Sequence, residues 1–117
     1  MKPPADSFLP LAPATLHILL ALAAEDLHGY GIMQEVARQS EGRYKLGPGT
    51  LYDNLQRLMK QGMVEEVSGK PEDKGSRRRY YRLSPQGRGV LSAEVSRLEG
   101  VVREARLHLK APQPRRA

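Results

Sequence analysis

The sequence predicts a mainly α fold of the α+β class, in which a small β-hairpin precedes a long final helix. Three helical periodicities occur before residue 62, two short strand-like segments flank a charged loop at 69–76, and the final helix has a 3.5-residue apolar period. Three helices, a strand, a basic loop, a second strand and a long helix form the element order of a winged helix-turn-helix with a two-stranded β wing.

The chain has 117 residues, which is enough for one domain. We divide it into an N-terminal extension at 1–12, a winged helix-turn-helix domain at 13–83, a final helix at 84–109 and a basic tail at 110–117 that we expect to be disordered. Cysteine is absent and the three histidines are far apart in sequence, so we expect no metal site and no cofactor.

The longest apolar run, at 18–24, has seven residues, whereas a membrane-spanning helix needs about 20. A secretory signal peptide is the alternative, because Lys2 precedes this run and Ala21-Leu22-Ala23 has the form of a cleavage site. Asp6 and four prolines in the first 13 residues oppose that alternative. We therefore expect a retained, buried segment, no membrane partner and a cytoplasmic protein.

The first helix is predicted at 13–25, with Pro13 at its first position. It is apolar nearly all round, with Ile18 and Leu22 on one side and Leu16, Leu19 and Leu20 on another. Because such a helix is buried on more than one face, we expect a partner subunit to cover the second face. The extension before it is predicted to be irregular and attached to the core through Phe8, Leu9 and Leu11.

The second helix is predicted at 29–40, with an apolar face formed by Tyr30, Met33, Val36 and Ala37. Gly29 lies in its first turn, where glycine is a poor helix former, so we expect a neighbouring element to approach closely there. The third helix is predicted at about 48–61, with Leu51, Leu55 and Leu58 as its buried stripe.

The two strands are predicted at 63–68 and 78–83. In the second strand, alternation places Tyr81 and Leu83 on one face and Tyr80 on the other, with the arginines. From Ser68 to Arg79 the chain has five basic and two acidic residues, within a formal net charge of +6 for the whole chain. Such a patch favours polyanions through counterion release, although an arginine run can also be an ordinary solvated surface.

These patterns predict a double-stranded DNA interface formed by the third helix and the basic hairpin. The expected contact residues are Gly49, Thr50, Tyr52, Asn54, Gln56, Arg57, Lys60, Lys70, Lys74, Arg77, Arg78 and Arg79. For Tyr52 the alternative is core packing at the helix edge, and Lys60 can be a solvated surface residue. His28 is interpreted as structural, and His17 as a residue satisfied at an interface.

Ser84 and Pro85 provide an N-cap and a first-turn proline for the final helix at 84–109. At 1.5 Å per residue this helix is about 39 Å long, more than a domain of this size needs for its own core. We therefore expect a dimerisation helix, although it could instead fold back on its own domain. The predicted dimer residues are Leu16, Leu19, Leu20, Leu91, Val95, Leu98, Val102, Ala105 and Leu109.

An enzyme is not expected, because the sequence has no phosphate-binding loop, no Gly-x-Ser-x-Gly motif and no cysteine. Glu65 and Glu66 are adjacent strand positions that point to opposite faces, which rules them out as a catalytic pair.

Several blocks of sequence resemble the PadR family of transcriptional regulators. They are Leu16-His-Ile-Leu-Leu-Ala-Leu-Ala, His28-Gly-Tyr-Gly-Ile, Leu46-Gly-Pro-Gly-Thr-Leu-Tyr52, Leu55-Gln-Arg-Leu58, Gly62-Met-Val-Glu-Glu and Arg79-Tyr-Tyr-Arg-Leu-Ser-Pro-Gln-Gly87. The resemblance covers about residues 9–109. It implies a homodimer in which the C-terminal helix packs against the partner's N-terminal helix, here in the short form with a single C-terminal helix.

The resemblance also implies a DNA-binding regulator, usually a repressor, that a small ligand or a stress signal releases. The segment from Pro48 to Lys60 would be the recognition helix, with Thr50, Tyr52 and Arg57 matching its motif, and 69–79 would be the wing. We expect a homodimer on a pseudo-palindromic operator, with an effector at the dimer interface. The alternatives are a winged-helix adaptor for a protein partner and a sequence-blind DNA-binding protein.

Overall fold

The computed structural model describes residues 3–68 and 79–110. Its elements in chain order are a 3₁₀ helix at Ala5–Phe8, α1 at Pro13–Ala24, β1 at Leu27–His28, α2 at Gly29–Gln39, α3 at Pro48–Lys60, β2 at Val64–Val67, β3 at Tyr80–Leu83 and α4 at Pro85–Lys110. The bounds of the four α-helices agree with the predicted bounds to within one residue. The predicted loop at 69–76 and the tail after Lys110 lie outside the described residues.

The sheet has three strands, so the prediction of two strands was incomplete. All pairs are antiparallel in the order β1-β3-β2, with Leu27 opposite Tyr81 and Val64 opposite Leu83. The additional strand, β1, has only two residues. A segment of that length has no alternation to detect, and it becomes a strand only because β3 provides a pairing edge.

The hydrophobic core surrounds α1, which contacts α2, α3, β3 and α4. Ile18, Leu19 and Leu22 of α1 are fully buried in this core. The chain itself therefore covers most of the apolar circumference of α1, a role that the sequence analysis assigned in part to a second subunit. Leu20 stays 43% exposed, and Leu16 is half-buried.

The buried face of α2 matches the predicted one only in part: Val36 is buried and Met33 packs against the core, as predicted. Gly29, Ile32 and Val36 are buried, whereas Tyr30 is 63% exposed. The actual face begins at a glycine, which carries no side chain and so did not appear as an apolar position.

Tyr80 is also buried, contrary to its predicted outward orientation. The ring of His28 on β1 packs edge-on against the Tyr80 ring with centroids 5.3 Å apart. Tyr80 and its neighbour Tyr81 are both buried, so both faces of β3 are covered at this end and the predicted alternation does not apply there.

The segment before α1 packs on the core through Phe8, Leu9 and Leu11, as predicted. The backbone N–H of Leu11 donates a 3.0 Å hydrogen bond to the carboxylate of Glu94 on α4. Ser84 accepts a hydrogen bond from the Gly87 N–H at 3.0 Å and thus caps α4, which is also as predicted. Within the described residues, no helix combines the length and apolarity that crossing a bilayer requires.

Candidate nucleic-acid interface

The recognition helix proposed from the sequence, α3, is anchored by one apolar stripe and exposes the rest of its surface. Leu51, Leu55 and Leu58 are at most 1% exposed. Positions 49, 53, 56 and 60 lie roughly opposite this stripe at 100° per residue, and all four are exposed. The predicted contact residues Gly49, Thr50, Tyr52, Gln56, Arg57 and Lys60 are all exposed. An α-helix with one polar face of this kind fits the major groove of DNA.

Asn54, in contrast, is buried at 7% exposure, so it does not lie on the exposed face of α3 where the sequence analysis placed it. Its Nδ2 donates to the carbonyl of Thr50 at 2.8 Å, and its Oδ1 accepts from the Thr15 hydroxyl at 2.8 Å. The spacing 51, 54, 55 and 58 is the i, i+3, i+4, i+7 pattern of a buried face. That pattern could have revealed the burial, but an asparagine in it was read as polar and therefore outward.

Arg57 is exposed, yet part of its guanidinium is held by the protein itself. Nη2 donates to Asn54 Oδ1 at 2.6 Å and to Thr15 Oγ1 at 3.1 Å. Arg57 therefore connects α3 to α1, a role that nothing in its sequence spacing indicated. Sequence reasoning also missed Thr15, because a threonine in an apolar helix gives no separate signal.

Tyr52 packs at the edge of α3 and keeps 47% of its surface exposed. Its hydroxyl occupies the space that a Cβ at Gly29 would need, so a side chain at position 29 would collide with it. The close approach predicted at Gly29 is therefore real, and the approaching group is on the candidate recognition helix. Burial raises the pKa of the Tyr81 hydroxyl. The nearby Tyr52 and Glu66 raise this pKa further, by smaller amounts.

Two of the three histidines, His17 and His28, have structural contacts. His28 caps α2, where its Nδ1 accepts from the Gly31 N–H at 2.9 Å. His17 stacks on the ring of Tyr44 with centroids 4.8 Å apart, and its Nδ1 lies 3.2 Å from the Gln39 amide nitrogen. No group of three or more potential metal ligands occurs among the described residues.

Only Arg79 of the predicted wing lies within the described residues. Lys70, Lys74, Arg77 and Arg78 lie outside the described residues. Arg79 is exposed, and its Nη1 lies 3.9 Å from Glu66 across the hairpin. On β3, Arg82 forms a two-bond pair with Asp26 at 2.8 and 3.1 Å, and this pairing raises the Arg82 pKa. The pair ties β3 to the turn after α1 and so fixes the base of the hairpin.

The predicted dimer residues fall into three groups by exposure. Leu19 and Leu91 are buried in the core of the chain itself, at 0% and 7% exposure, so they do not form the surface of the predicted seam. Leu16 and Leu98 are half-buried, while Leu20, Val95, Val102, Ala105 and Leu109 are exposed. Val102, Ala105 and Leu109 lie on a helix segment, 101–110, in which every residue is exposed.

Comparisons with known proteins agree with this architecture. The family model of the PadR-like transcriptional regulators matches residues 18–93. The transcriptional regulator Rv3488 of Mycobacterium tuberculosis is 39% identical over 93 residues, which are 80% of this chain and 82% of that protein. A transcriptional regulator from Clostridium thermocellum superposes with a TM-score of 0.68 at 26% identity, covering 83% of this chain and 90% of that one.

A PadR family transcription regulator from Clostridium difficile has a TM-score of 0.67 at 24% identity, with 84% of this chain and 99% of that chain covered. At this identity the similarity shows the fold.

Proposed function

The chain belongs to the PadR-like family of transcriptional regulators, and on that premise we propose that it is a homodimeric repressor of a pseudo-palindromic operator. The observation that carries the proposal is the combination of two exposed surfaces on one rigid core. One is the polar face of α3, and the other is the apolar stripe of α4 that continues beyond the protomer's own core.

In this proposal α3 reads the major groove through its exposed residues. Gln56 can pair with the edge of adenine, and Lys60 with guanine or with a phosphate. Asp53, in the centre of the same exposed face, can accept a hydrogen bond from the cytosine amino group. Phosphate contacts come from Arg79 and from Lys70, Lys74, Arg77 and Arg78, which add affinity without reading sequence.

The second copy would bind along α4. Val95, Leu98 and Val102 follow one another at the 3, 4 spacing of a two-helix seam, and Leu20 on α1 offers a further exposed apolar surface. A two-fold dimer places its two recognition helices on half-sites about one helical turn, or roughly 10 bp, apart. This geometry is the reason to expect a pseudo-palindromic operator.

Release by a small ligand or a stress signal is usual in the family, and we propose that an effector binds at the dimer interface. An open groove along α4 supports this location, because it combines apolar and cationic side chains. It is lined by Val95, Leu98, Glu99, Val102, Arg103, Arg106, Leu107 and Lys110. A molecule in this groove would contact both copies and change the spacing of their recognition helices.

The test is binding of the purified protein to the DNA upstream of its own gene and to a scrambled fragment of equal length, across a salt series. We expect the upstream fragment to bind about a thousandfold more tightly at physiological salt. Equal, steeply salt-dependent binding to both fragments would favour a sequence-blind DNA-binding protein. No binding to either at low salt would favour the protein-adaptor alternative. An inverted repeat with half-sites one turn apart, revealed by footprinting, would support the dimeric repressor.

A further inference from the structure

Thr15, Asn54 and Arg57 form a closed cluster of hydrogen bonds between α1 and α3. The Thr15 hydroxyl and Arg57 Nη2 both donate to Asn54 Oδ1, at 2.8 and 2.6 Å, and Arg57 Nη2 also donates to the Thr15 oxygen at 3.1 Å. Asn54 in turn donates to the carbonyl of Thr50, one turn earlier on α3. Each of the three side chains therefore contacts both others.

The cluster lies at a buried helix–helix contact. Thr15 is 6% exposed and Asn54 is 7% exposed, next to the fully buried Leu51 and Leu58. No buried side-chain nitrogen or oxygen among the described residues lacks a hydrogen-bond partner. Hydrogen bonds in such surroundings have strict geometry, because a small rotation of α3 would leave desolvated polar groups unpaired. A leucine stripe alone tolerates such rotations far better, since apolar contacts are not directional.

We infer that Thr15 and Asn54 are positioning residues for DNA recognition, which fix the rotation of α3 about its axis and the direction of the Arg57 guanidinium. The inference rests on the proposed function, because it assigns α3 to the DNA. The Arg57 Nε and Nη1 groups make no hydrogen bond to any described residue, so they are available to a phosphate or a base edge. Arg57 thus approaches DNA already oriented, which reduces the entropy lost on binding.

The position of the cluster also connects the two proposed surfaces. Thr15 is on α1, which carries the exposed Leu20 of the predicted dimer seam, and Asn54 is on α3. The cluster therefore fixes the recognition helix relative to the helix that would face the second copy. Correct spacing of two half-sites depends on this relation, whereas non-specific binding to phosphates does not.

The decisive variant is Thr15→Val, which removes the hydroxyl without altering any residue on the exposed face of α3. Affinities for the upstream and scrambled fragments are measured well below the unfolding temperature, which is determined separately. We expect roughly tenfold weaker binding to the upstream fragment, with unchanged affinity and salt dependence on the scrambled fragment. Thr15→Ser keeps the hydroxyl and is expected to restore the affinity. A variant that only loses stability would not change the ratio of the two affinities at this temperature.

Asn54→Leu provides an independent test, because leucine suits the buried stripe and keeps α3 packed. We expect the same selective loss. The NMR signal of Arg57 Nε–Hε reports the cluster without DNA, and we expect it to become more mobile in Thr15→Val and Asn54→Leu.

If both variants keep the wild-type affinity ratio while Arg57→Ala lowers it, Arg57 contacts DNA without positioning by the cluster, and the inference is overturned. If the wild type does not distinguish the fragments, the proposed function fails. The NMR signal then still tests whether the cluster fixes the direction of the Arg57 guanidinium. Unchanged Arg57 mobility in both variants would overturn the inference.

Discussion

The two halves of α4 have the same apolar spacing and opposite environments. In the segment 85–94, Gly87, Val90, Leu91 and Glu94 are buried against the rest of the chain. In the segment 95–110 no residue is buried, although Val95, Val102 and Leu109 continue the stripe begun by Leu91. The periodicity therefore indicates that one face of the helix is covered, but it does not distinguish a covering by the chain's own core from a covering by a second copy.

The first half depends on a close contact that only glycine permits. A Cβ at Gly87 would collide with the backbone carbonyl of Met63 and lie 2.7 Å from a methyl group of Leu83. We expect Gly87→Val to lower the free energy of unfolding by about 3 kcal/mol, because the backbone of Met63 cannot move without disturbing β2. Urea denaturation measures the change. Gly89→Val, two residues away and in open space, is the matched control and is expected to be neutral or slightly stabilising. Equal losses in the two variants would contradict this explanation.

The second half depends on the proposed second copy. Val102 is 46% exposed in the protomer and lies in the centre of the stripe. We expect Val102→Glu to raise the dissociation constant of the dimer roughly 100-fold, about 2.7 kcal/mol, since each copy would bring a carboxylate into an apolar seam. Sedimentation velocity across a concentration series measures it.

Ser96→Glu adds the same charge to an exposed position away from the stripe and should leave the dimer intact. A dimer that survives Val102→Glu would exclude this seam.

Glu94 marks the boundary between the two halves. Its side chain is 1% exposed, and it binds Arg97 at 2.5 and 3.0 Å and accepts from the Leu11 N–H at 3.0 Å. The hydrogen bonds from Arg97, followed by that from Leu11, lower the pKa of Glu94 below its ordinary value of 4.5, against the opposing effect of burial. We expect Glu94→Gln to lower the free energy of unfolding by about 1–2 kcal/mol at neutral pH, because the charge-assisted hydrogen bonds are lost.

The lowered pKa fixes the direction of the pH dependence. The contribution of ionised Glu94 to stability is complete above pH 4.5 and is lost as the pH falls through the lower pKa of the folded state. The stability difference between wild type and Glu94→Gln should therefore be constant near neutrality and narrow below pH 4.5. A difference that stays constant down to pH 2 would contradict the assignment.

The fold was predictable because its signals are local. Helix starts at Pro13, Pro48 and Pro85 and the leucine stripe of α3 are readable from a few residues each, and the structure confirms them. Features that depend on long-range partners were not predictable. β1 exists only through its pairing with β3, and the buried carboxylate of Glu94 is satisfied by a backbone N–H 83 residues away.

The candidate site also contains features that depend on long-range partners and that the sequence alone could not predict. Sequence reasoning found the exposed face of α3 but included Asn54, whose partner Thr15 is 39 residues away. A polar side chain in a buried stripe is indistinguishable from an exposed one until its hydrogen-bond partner is known. Arg57 was selected as a DNA contact on residue type, and only the structure reveals its bonds to α1.

The smallest expected effect distinguishes the two halves most directly. Gly100 lies in the second half of α4, and a Cβ there would meet nothing within 4 Å. Gly100→Ala should therefore increase helix stability by up to about 1 kcal/mol. In the dimer this segment would unfold together with the core, so the melting temperature should rise. In a Val102→Glu background, the segment would fray independently of the core, so helicity should rise without a change in the melting temperature. An equal rise in melting temperature in both backgrounds would mean that the second half of α4 already unfolds together with the protomer's own core. The two halves would then not differ in the way proposed.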